Sequence, residues 1–331
     1  MNLLKRSSKS RPTRIFFAAD VHGSEATFRK FVNSARFYEA DQLVFGGDLM
    51  GKAMVPVVTE ADGTHRAQLH DISHTLDGAE AVRAFIGSVE SAGFYWKLMS
   101  RDEYVELQGD AAAVQELFVQ LARERLADWI GFAEERLGGS GVRCFMTGGN
   151  DDVPDVLTVL DEAARENVVP CEHRVIDLDG RHTMITVGYS TPTPWDTPRE
   201  ASEEDLARFI DDSAAKVSDP GRSVFNLHVP PLDSGLDRCL KLDATSDPPS
   251  PVKDAGRPVY YGAGSRAVRE AIRRYQPVIG LHGHIHESPG QLRYGRTRCF
   301  NPGSEYGRGV LSGLIVSIRD GEVTGYQHTT G

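Results

Sequence analysis

Five short segments of the sequence carry aspartate, histidine or asparagine side chains that could together hold metal ions. They are Asp20-Val21-His22, Gly46-Gly47-Asp48, Gly148-Gly149-Asn150-Asp151, Asn226-Leu227-His228 and His282-Gly283-His284-Ile285-His286. Imidazole nitrogens mixed with carboxylate and amide oxygens suit Mn, Fe, Ni or Zn better than Mg alone. One carboxylate of such a set can bridge two ions about 3.5–4 Å apart, the spacing of binuclear sites that hold both oxygens of an in-line displacement.

Strands are expected to position all five segments, because each segment lies just after a short apolar run. The runs are Ile15–Ala19, Leu43–Phe45, Val142–Met146, Ser223–Phe225 and Val278–Leu281. Runs of this length beside glycine predict buried strands. Ligands at strand ends converge on one edge of a sheet, where open α/β folds bind their ligands. We therefore expect one site built from both ends of the chain.

In this order the segments resemble the signature of the calcineurin-like metallophosphoesterase superfamily, which runs Asp-x-His, Gly-Asp, Gly-Asn-His-Asp/Glu, His and Gly-His-x-His. The later Asn301-Pro302-Gly303-Ser304 resembles the small bacterial and archaeal phosphodiesterase branch. The resemblance spans about residues 14–318 and implies an α/β fold, a four-layer α/β/β/α sandwich of two mixed sheets flanked by helices. It also implies ligand roles: Asp20, His22 and His286 for the first metal, Asn150, His228 and His284 for the second, and Asp48 as the bridge.

The implied cofactors are two divalent metal ions, and the implied substrate is a small phosphate ester such as a nucleotide or another small diester. The ions would bind the phosphate and bring the pKa of a bridging water toward neutrality. The resulting hydroxide would attack phosphorus in line with the leaving oxygen, with Asp48 keeping the geometry and without a covalent enzyme intermediate. His282, beside the ligands, either aids the leaving group or packs and orients its loop.

One position departs from the pattern, because Asp151 stands where most members of the superfamily have the histidine that assists the leaving group. An aspartate has an unperturbed pKa of about 3.9, and two nearby cations would lower it further. As an anion, Asp151 would repel a dianionic phosphomonoester more than a monoanionic diester, so we expect it to act in catalysis and to favour diesters. Alternatively, Asp151 or Asp152 only leads into a helix over Pro154–Ala164, whose N-terminus favours acids.

A single domain is expected over residues 15–331, because ligands from both ends must meet in one site. Residues 1–14 hold five basic residues and no acid, which predicts a disordered tail. A mainly helical insertion is expected at about residues 52–140, with helices over Ala79–Ala92 and Ala111–Leu137 where apolar positions recur at helical spacing. One part would form the crossover helix, and another part could cap the active-site edge and shape specificity.

Composition limits the function classes. Hydrophobic residues are 40% and charged residues 25% of the chain, which is ordinary for a globular core. The net charge of −10 makes nonspecific nucleic-acid binding unfavourable. No apolar stretch is long enough for a secretory signal or a membrane span, and the four dispersed cysteines form no disulfide framework. These features predict a cytoplasmic protein of undetermined oligomeric state.

A proline-rich loop over residues 190–202 supplies candidate substrate contacts. Trp195 and Arg199 could line a pocket for a base and a phosphate, because arginine binds phosphate through its planar fork. Alternatively, Trp195 pins the loop to the body and Arg199 pairs with Glu203 or Glu204.

Ser265 is a second candidate, because it opens a predicted helix over Arg266–Tyr275. Exposed amide groups at that helix N-terminus would bind an anion of the substrate, or Ser265 is a plain N-cap. Residues 243–258 are rich in Pro, Asp and Ser, which predicts a mobile segment near the site.

Three functions fit these observations. The first is a metal-dependent phosphodiesterase acting on a nucleotide or another small diester. The second is a phosphomonoesterase or phosphoprotein phosphatase, against which Asp151 argues. The third is a catalytically weak binding or scaffold protein, which would be expected to have lost ligands that are all present here.

Overall fold

The structure is a computed structural model that describes residues 11–162, 165–246 and 248–331. Its strands are β1 (Thr13–Ala18), β2 (Gln42–Phe45), β3 (Met54–Thr59), β4 (His65–Leu69), β5 (Ile72–Leu76), β6 (Tyr95–Ser100), β7 (Arg143–Met146), β8 (Val168–Pro170), β9 (Val175–Asp177), β10 (Thr183–Val187), β11 (Ser223–Leu227), β12 (Arg238–Leu240), β13 (Leu242–Asp243), β14 (Ser250–Pro251), β15 (Lys253–Asp254), β16 (Arg257–Pro258), β17 (Tyr260–Gly262), β18 (Ile279–Leu281), β19 (Gly290–Tyr294), β20 (Thr297–Asn301), β21 (Ser312–Arg319) and β22 (Glu322–Thr330). Its α-helices are α1 (Glu25–Phe37), α2 (Gly78–Ser91), α3 (Arg101–Gln108), α4 (Ala111–Leu137), α5 (Pro154–Glu162), α6 (Glu203–Ala214) and α7 (Arg266–Tyr275).

Two six-stranded mixed sheets form the centre of the molecule. Sheet I has the order β22-β21-β1-β2-β7-β8, in which β1, β2, β7 and β8 are parallel. Sheet II has the order β19-β20-β18-β11-β10-β9, with four parallel strands between two antiparallel edge strands. Because parallel strands end at the same edge, each sheet presents several strand ends together.

Strand β1 shows why the apolar runs are continuous. Ile15 and Phe17 belong to the core between the two sheets, together with Phe300 of sheet II. Phe16 and Ala18 alternate with them and pack instead against α1, α4 and α5. Sheet II has the same design, with a third core between its outer face and α6 and α7. Since both faces of the central strands are buried, these strands need no polar face. This is the four-layer α/β/β/α sandwich predicted from the sequence.

The insertion between β2 and β7 contains three helices, α2 to α4, and in addition a small sheet that the sequence did not indicate. Strands β3 to β6 form a four-stranded sheet that packs on α2 around Val57, Phe85 and Val89. Strands β4 and β5 are largely exposed, so they carry too little apolar periodicity to be recognised from sequence. Helix α4 has the predicted bounds and packs on the main body as the crossover helix.

The predicted N-terminal tail is only partly described. Residues 1–10 lie outside the described residues, and β1 already begins at Thr13, so the strand includes the last two residues of the expected tail. Residues 163 and 164, at the end of the helix predicted over Pro154–Ala164, also lie outside the described ranges. Within those ranges, none of the helices has the length and apolar character that crossing a lipid bilayer requires.

We predict that the contact between α1 and α4 contributes strongly to stability. Trp129 is buried, its ring stacks on Phe28 with centroids 4.1 Å apart, and its Nε1 donates to Glu25 Oε2 at 2.5 Å. Replacing Trp129 with Ala should lower the free energy of unfolding by about 3–5 kcal/mol, because a large cavity is left in the core. Urea denaturation measures this change. The control Phe37→Ala, at a side chain 79% exposed, should cost less than about 1 kcal/mol, and equal losses would contradict the prediction.

Candidate metal centre

The five segments meet at the edge where the parallel strands of both sheets end. In sheet I, the His22 amide donates to the Asp48 carbonyl at 3.1 Å. In sheet II, the Gly283 amide donates to the His228 carbonyl at 2.9 Å. His228 also joins the two sheets, because its Nδ1 donates to the Gly46 carbonyl at 2.8 Å. That hydrogen bond leaves Nε2 of the ring free to act as a ligand.

Asp20, His22 and His286 form a first cluster of donor atoms. The Nε2 atoms of His22 and His286 are 3.1 Å apart, and Nε2 of His286 is 3.7 Å from Asp20 Oδ1. Atoms that bind one ion at about 2.0–2.2 Å lie roughly 3 Å from one another. The structure thus brings the predicted first-metal triad together at a spacing that fits one cation.

Asp48, His228 and His284 form a second cluster, which Asn150 joins. His228 Nε2 lies 3.4 Å from Asp48 Oδ2 and 3.1 Å from Asn150 Oδ1. The same Oδ2 atom of Asp48 is 3.6 Å from His22 Nε2 in the first cluster. Asp48 is therefore placed between the two clusters, where a bridging carboxylate would have to lie.

Burial and neighbouring charges set the protonation of the imidazoles. Burial lowers the pKa of His22 well below its ordinary value and that of His284 to about 4. Both rings are therefore neutral, which is the form that binds metals. Burial opposes a charge on His228 as well, but the Asp48 carboxylate outweighs it and raises the His228 pKa to about 9. The buried negative charge of Asp48 is thus balanced by the proton on His228. This fits a site where divalent cations supply the balancing charge.

Several of these residues have an unusual backbone. Asp20, His22, Asp48 and His284 have φ angles of +58°, +40°, +59° and +66°, in the left-handed region that non-glycine residues seldom adopt. Such strain costs about 1–3 kcal/mol per residue and persists only where the surroundings enforce it. The amide of His284, for example, donates to Asp20 Oδ1 at 2.9 Å. Gly149 is required for another reason, since a Cβ there would lie 2.1 Å from Asp48 Oδ1.

Comparison with known proteins identifies the fold. No family model and no curated protein matches the sequence. Two solved structures superpose with TM-scores of 0.56 and 0.55 at 14% and 12% identity, each match covering 97% of this chain and 98% of the other. The second is TT1561 of Thermus thermophilus. Together with the four layers and the Asp, Asn and His side chains at the joint strand ends, these matches decide the fold. The chain shares the fold of these two proteins, a four-layer α/β/β/α sandwich of the kind that the resemblance to calcineurin-like metallophosphoesterases implies.

At identities this low, the similarity concerns the fold and not the activity. A dimetal phosphatase from Danio rerio superposes less well, with a TM-score of 0.42 at 8% identity over 97% of this chain and 99% of that one. That score is too low to support a conclusion about this chain.

Within this fold, Asp152 connects the second and third segments. Its buried carboxylate accepts hydrogen bonds from the amides of Leu49, Met50 and Gly149 at 2.9, 2.7 and 2.7 Å. It thereby fixes the loop after Asp48 against the loop that carries Asn150. Sequence reasoning missed this role, because an acid before a helix is ordinarily an end-capping residue.

Asp151 lies at the site, but it is not the isolated anion that the sequence predicted. Its Oδ2 is 2.8 Å from the ammonium of Lys52, and its amide donates to Asp48 Oδ1 at 3.0 Å. Burial and the Asp48 carboxylate raise its pKa, while Lys52 opposes them. Lys52 was not singled out from the sequence. Its position four residues after Asp48 was a possible signal, but the direction of its side chain depends on the insertion that follows.

Arg199 does not contact the cavity at the site, which corrects its prediction as a substrate-binding residue. Its side chain is 4% exposed, pairs with Glu172 at 2.8 Å and donates to the Gly149 carbonyl at 3.0 Å. Its guanidinium also stacks over Tyr189, 4.5 Å from the ring centroid. Nor does it pair with Glu203 or Glu204, the alternative partners considered above, so its role here is to position the loop of Asn150.

Ser265 is also not a substrate contact. Its hydroxyl accepts from the Val268 amide at 3.2 Å as the N-cap of α7 and donates to Glu203 Oε2 at 2.7 Å. The amides of Arg266 and Ala267 donate to the same carboxylate at 2.8 and 2.7 Å. Glu203 of α6 thus occupies the anion site that the helix N-terminus offers.

His282 packs behind the site and does not approach the cavity. Its ring is buried, its Nδ1 donates to the Leu227 carbonyl at 2.8 Å, and burial lowers its pKa to about 4. The Asn-Pro-Gly-Ser segment also positions ligands, because Asn301 Nδ2 donates to the Ile285 carbonyl at 2.8 Å and the Ser304 hydroxyl to the Asp20 carbonyl at 2.6 Å.

A cavity of about 470 Å³ opens from the two clusters. Lys52, Asp151, Asp48, Asn150, His284 and His286 line its inner end. Its outer walls are the segment 191–195 with Trp195 and the excursion 239–264 with Leu240, Leu242 and Tyr261. From the insertion, only Lys52 is among the described residues that line it, so the expected cap is built from these two loops instead. A volume of this size suits a ligand as large as a nucleotide.

We predict that Asp152→Asn weakens metal binding. An amide at this position can accept at one atom only, so its NH₂ group would face backbone donors and displace the loops of Asp48 and Asn150. Loss of such an outer partner commonly weakens metal affinity by about 10–100-fold. Calorimetric titration with Mn²⁺ measures the change. The control Asp161→Asn, at a carboxylate 62% exposed on the neighbouring helix, should bind as the wild type does, and an unchanged affinity in Asp152→Asn would contradict the role assigned to it.

Proposed function

We propose that the protein is a metal-dependent phosphoesterase and that it hydrolyses small phosphodiesters. The observation that carries this proposal is the convergence of seven donor residues in two adjoining clusters, with Asp48 between them. Mixed nitrogen and oxygen donors of this kind suit Mn, Fe, Ni or Zn. Asp20, His22 and His286 would hold one ion, Asn150, His228 and His284 the other, and Asp48 both.

Metal ions bound there would polarise the phosphate ester and supply an ionised water near neutral pH. The chain's own residues have separate tasks. The neutral imidazoles of His22 and His284 bind cations without prior loss of a proton. The donor atoms are almost fully buried at Asp20, Asp48 and Asn150, so bulk water is kept from all but the cavity side. Ligands held in this way meet the substrate with little reorganisation.

The shape of the cavity supports a diester as the substrate. The cavity that opens from the clusters is lined by the charged residues Lys52 and Asp151 and also by Leu240, Leu242 and Tyr261. With a volume of about 470 Å³ and this mixed lining, the cavity has room for a second ester group, which a phosphomonoester does not have. The diester preference therefore rests on this space and no longer on the charge of Asp151, because Lys52 balances that charge.

A phosphomonoesterase is the second candidate, and the ion pair between Lys52 and Asp151 favours it. With the Asp151 charge balanced by an ammonium at 2.8 Å, a dianionic monoester would meet less repulsion than the sequence predicted. A scaffold without catalysis fits less well, because the ligand set is complete. The free cysteines agree with the cytoplasmic location that we propose.

A substrate panel separates these functions. Bis-p-nitrophenyl phosphate, p-nitrophenyl phosphate and cyclic nucleotides would be assayed with Mn²⁺ before and after chelation. We expect diester turnover to exceed monoester turnover and to disappear on chelation. Faster monoester turnover would favour the phosphatase, and a lack of turnover with any metal would favour the scaffold.

Asp48 provides the strictest test of the binuclear site. We expect Asp48→Asn to lower turnover by more than about 100-fold, since even an outer partner of a metal ligand is worth about 10–100-fold. The control Asp128→Asn changes an exposed aspartate of α4 in the same way and should keep wild-type activity. Activity that survives in Asp48→Asn would overturn the binuclear assignment.

A further inference from the structure

The cavity contains a positive charge that the expected ligand set does not include. Among the described residues that line it, Lys52 is the one lysine or arginine, and it shares the inner end with Asp48, Asn150 and His284. Its side chain is 49% exposed, whereas that of Asp151 is 16% exposed. The ammonium is therefore accessible from the cavity while its partner is largely covered.

Both partners of the ion pair between Lys52 and Asp151 are held in place by neighbouring groups. Asp151 is held through its backbone, whose amide donates to Asp48 Oδ1 at 3.0 Å, and its Oδ1 accepts from Asn150 Nδ2 at 2.9 Å. On the lysine side, the Gly51 amide donates to the Tyr95 hydroxyl at 2.9 Å. A side chain held at both ends loses less conformational entropy when it binds a ligand.

Neighbouring carboxylates also favour the charged form of Lys52. Burial disfavours an ammonium, but the Asp151 carboxylate outweighs this effect and raises the Lys52 pKa. Asp151 accepts one hydrogen bond from the ammonium at 2.8 Å, and a lysine has three donors. The half-exposed ammonium therefore keeps donors for an oxygen in the cavity.

We infer that Lys52 donates a hydrogen bond to the leaving oxygen of the phosphate ester and that Asp151 positions it. This inference rests on the proposed function. As the entering oxygen bonds to phosphorus, the bond to the leaving oxygen breaks and its electron pair stays on that oxygen. The ammonium stabilises this growing negative charge without giving up its proton, and the released alkoxide or phenoxide then takes a proton from water. A lysine and aspartate pair thus does electrostatically what the histidine expected at position 151 would do by proton transfer.

The chemistry predicts a dependence on the leaving group. A fixed donor to a developing oxyanion is commonly worth about 10²–10³-fold in rate. That contribution is largest for a basic leaving oxygen, which carries more charge in the transition state, and smallest for a stable one. A residue that only binds a non-bridging phosphate oxygen would instead affect all esters alike.

The test uses a series of aryl methyl phosphodiesters whose leaving phenols range from 4-nitrophenol to phenol, with Mn²⁺-loaded full-length protein. For Lys52→Met we expect kcat/KM to fall by about 10²–10³-fold for phenol but by less than about tenfold for 4-nitrophenol, so that the plot against leaving-group pKa becomes steeper. Lys52→Arg, which keeps the charge, should fall between. The matched control is Lys97→Met, at an exposed lysine of β6 that does not line the cavity.

Asp151→Asn tests the positioning role. It should make the plot of kcat/KM against leaving-group pKa steeper, but less so than Lys52→Met does. The double variant Asp151→Asn with Lys52→Met should have the same kcat/KM values as Lys52→Met alone, because the effects of residues that act as one unit are not additive. Calorimetric titration with Mn²⁺ and thermal denaturation should give wild-type values for Lys52→Met, which excludes loss of the metal centre or of the fold.

The outcomes separate the two proposals. If the wild type turns over the esters and its plot of kcat/KM against leaving-group pKa is parallel to that of Lys52→Met, the role of Lys52 is overturned. The phosphoesterase assignment then stays in place. A loss of equal size for all leaving groups would likewise overturn it, in favour of a contact to a non-bridging oxygen. A wild type without turnover of any ester would overturn the phosphoesterase assignment and the role of Lys52 with it.

Discussion

The carboxylate of Asp48 is the group on which the site depends. It lies where the two sheets meet, within 3.4 Å of His228 Nε2 from sheet II and 3.6 Å of His22 Nε2 from sheet I. An anion buried in this way is costly unless cations and hydrogen-bond donors surround it. The left-handed backbone of its neighbours and the glycine beside Asn150 follow from the need to bring those partners close.

Charged side chains around the two donor clusters each have partners that hold them in place. Asp152 accepts three amide groups, Arg199 is held between Glu172 and the Gly149 carbonyl, and Asp151 faces Lys52. None of these groups belongs to the expected ligand set, yet each fixes a loop that carries a ligand. Outer partners of this kind tune metal sites nearly as strongly as the ligands themselves.

Much of this arrangement was predictable because the ligands follow strands that are buried on both faces. Continuous apolar runs such as Ile15–Ala19 signal such strands and the edge where their ends meet. The four layers and the division of the ligands into two clusters came from the resemblance to a known family. Contacts between side chains distant in sequence were not predictable. Arg199 and Ser265 were expected to face the substrate, but their partners Glu172 and Glu203 belong to other elements, and a pattern of single residues does not indicate such pairs. The exposed strands β4 and β5 were missed because their alternation is polar.

The Glu203 carboxylate at the N-terminus of α7 has a consequence for how this protein could diversify. It fastens α6 to α7, and Ser265 directly follows the segment 262–264 that forms part of the cavity wall. The excursion from β12 to β17 is thus anchored at its base to the outer helices. Its outer portion can change in length and sequence over evolution, or be exchanged by design, while the two donor clusters beneath it stay as they are.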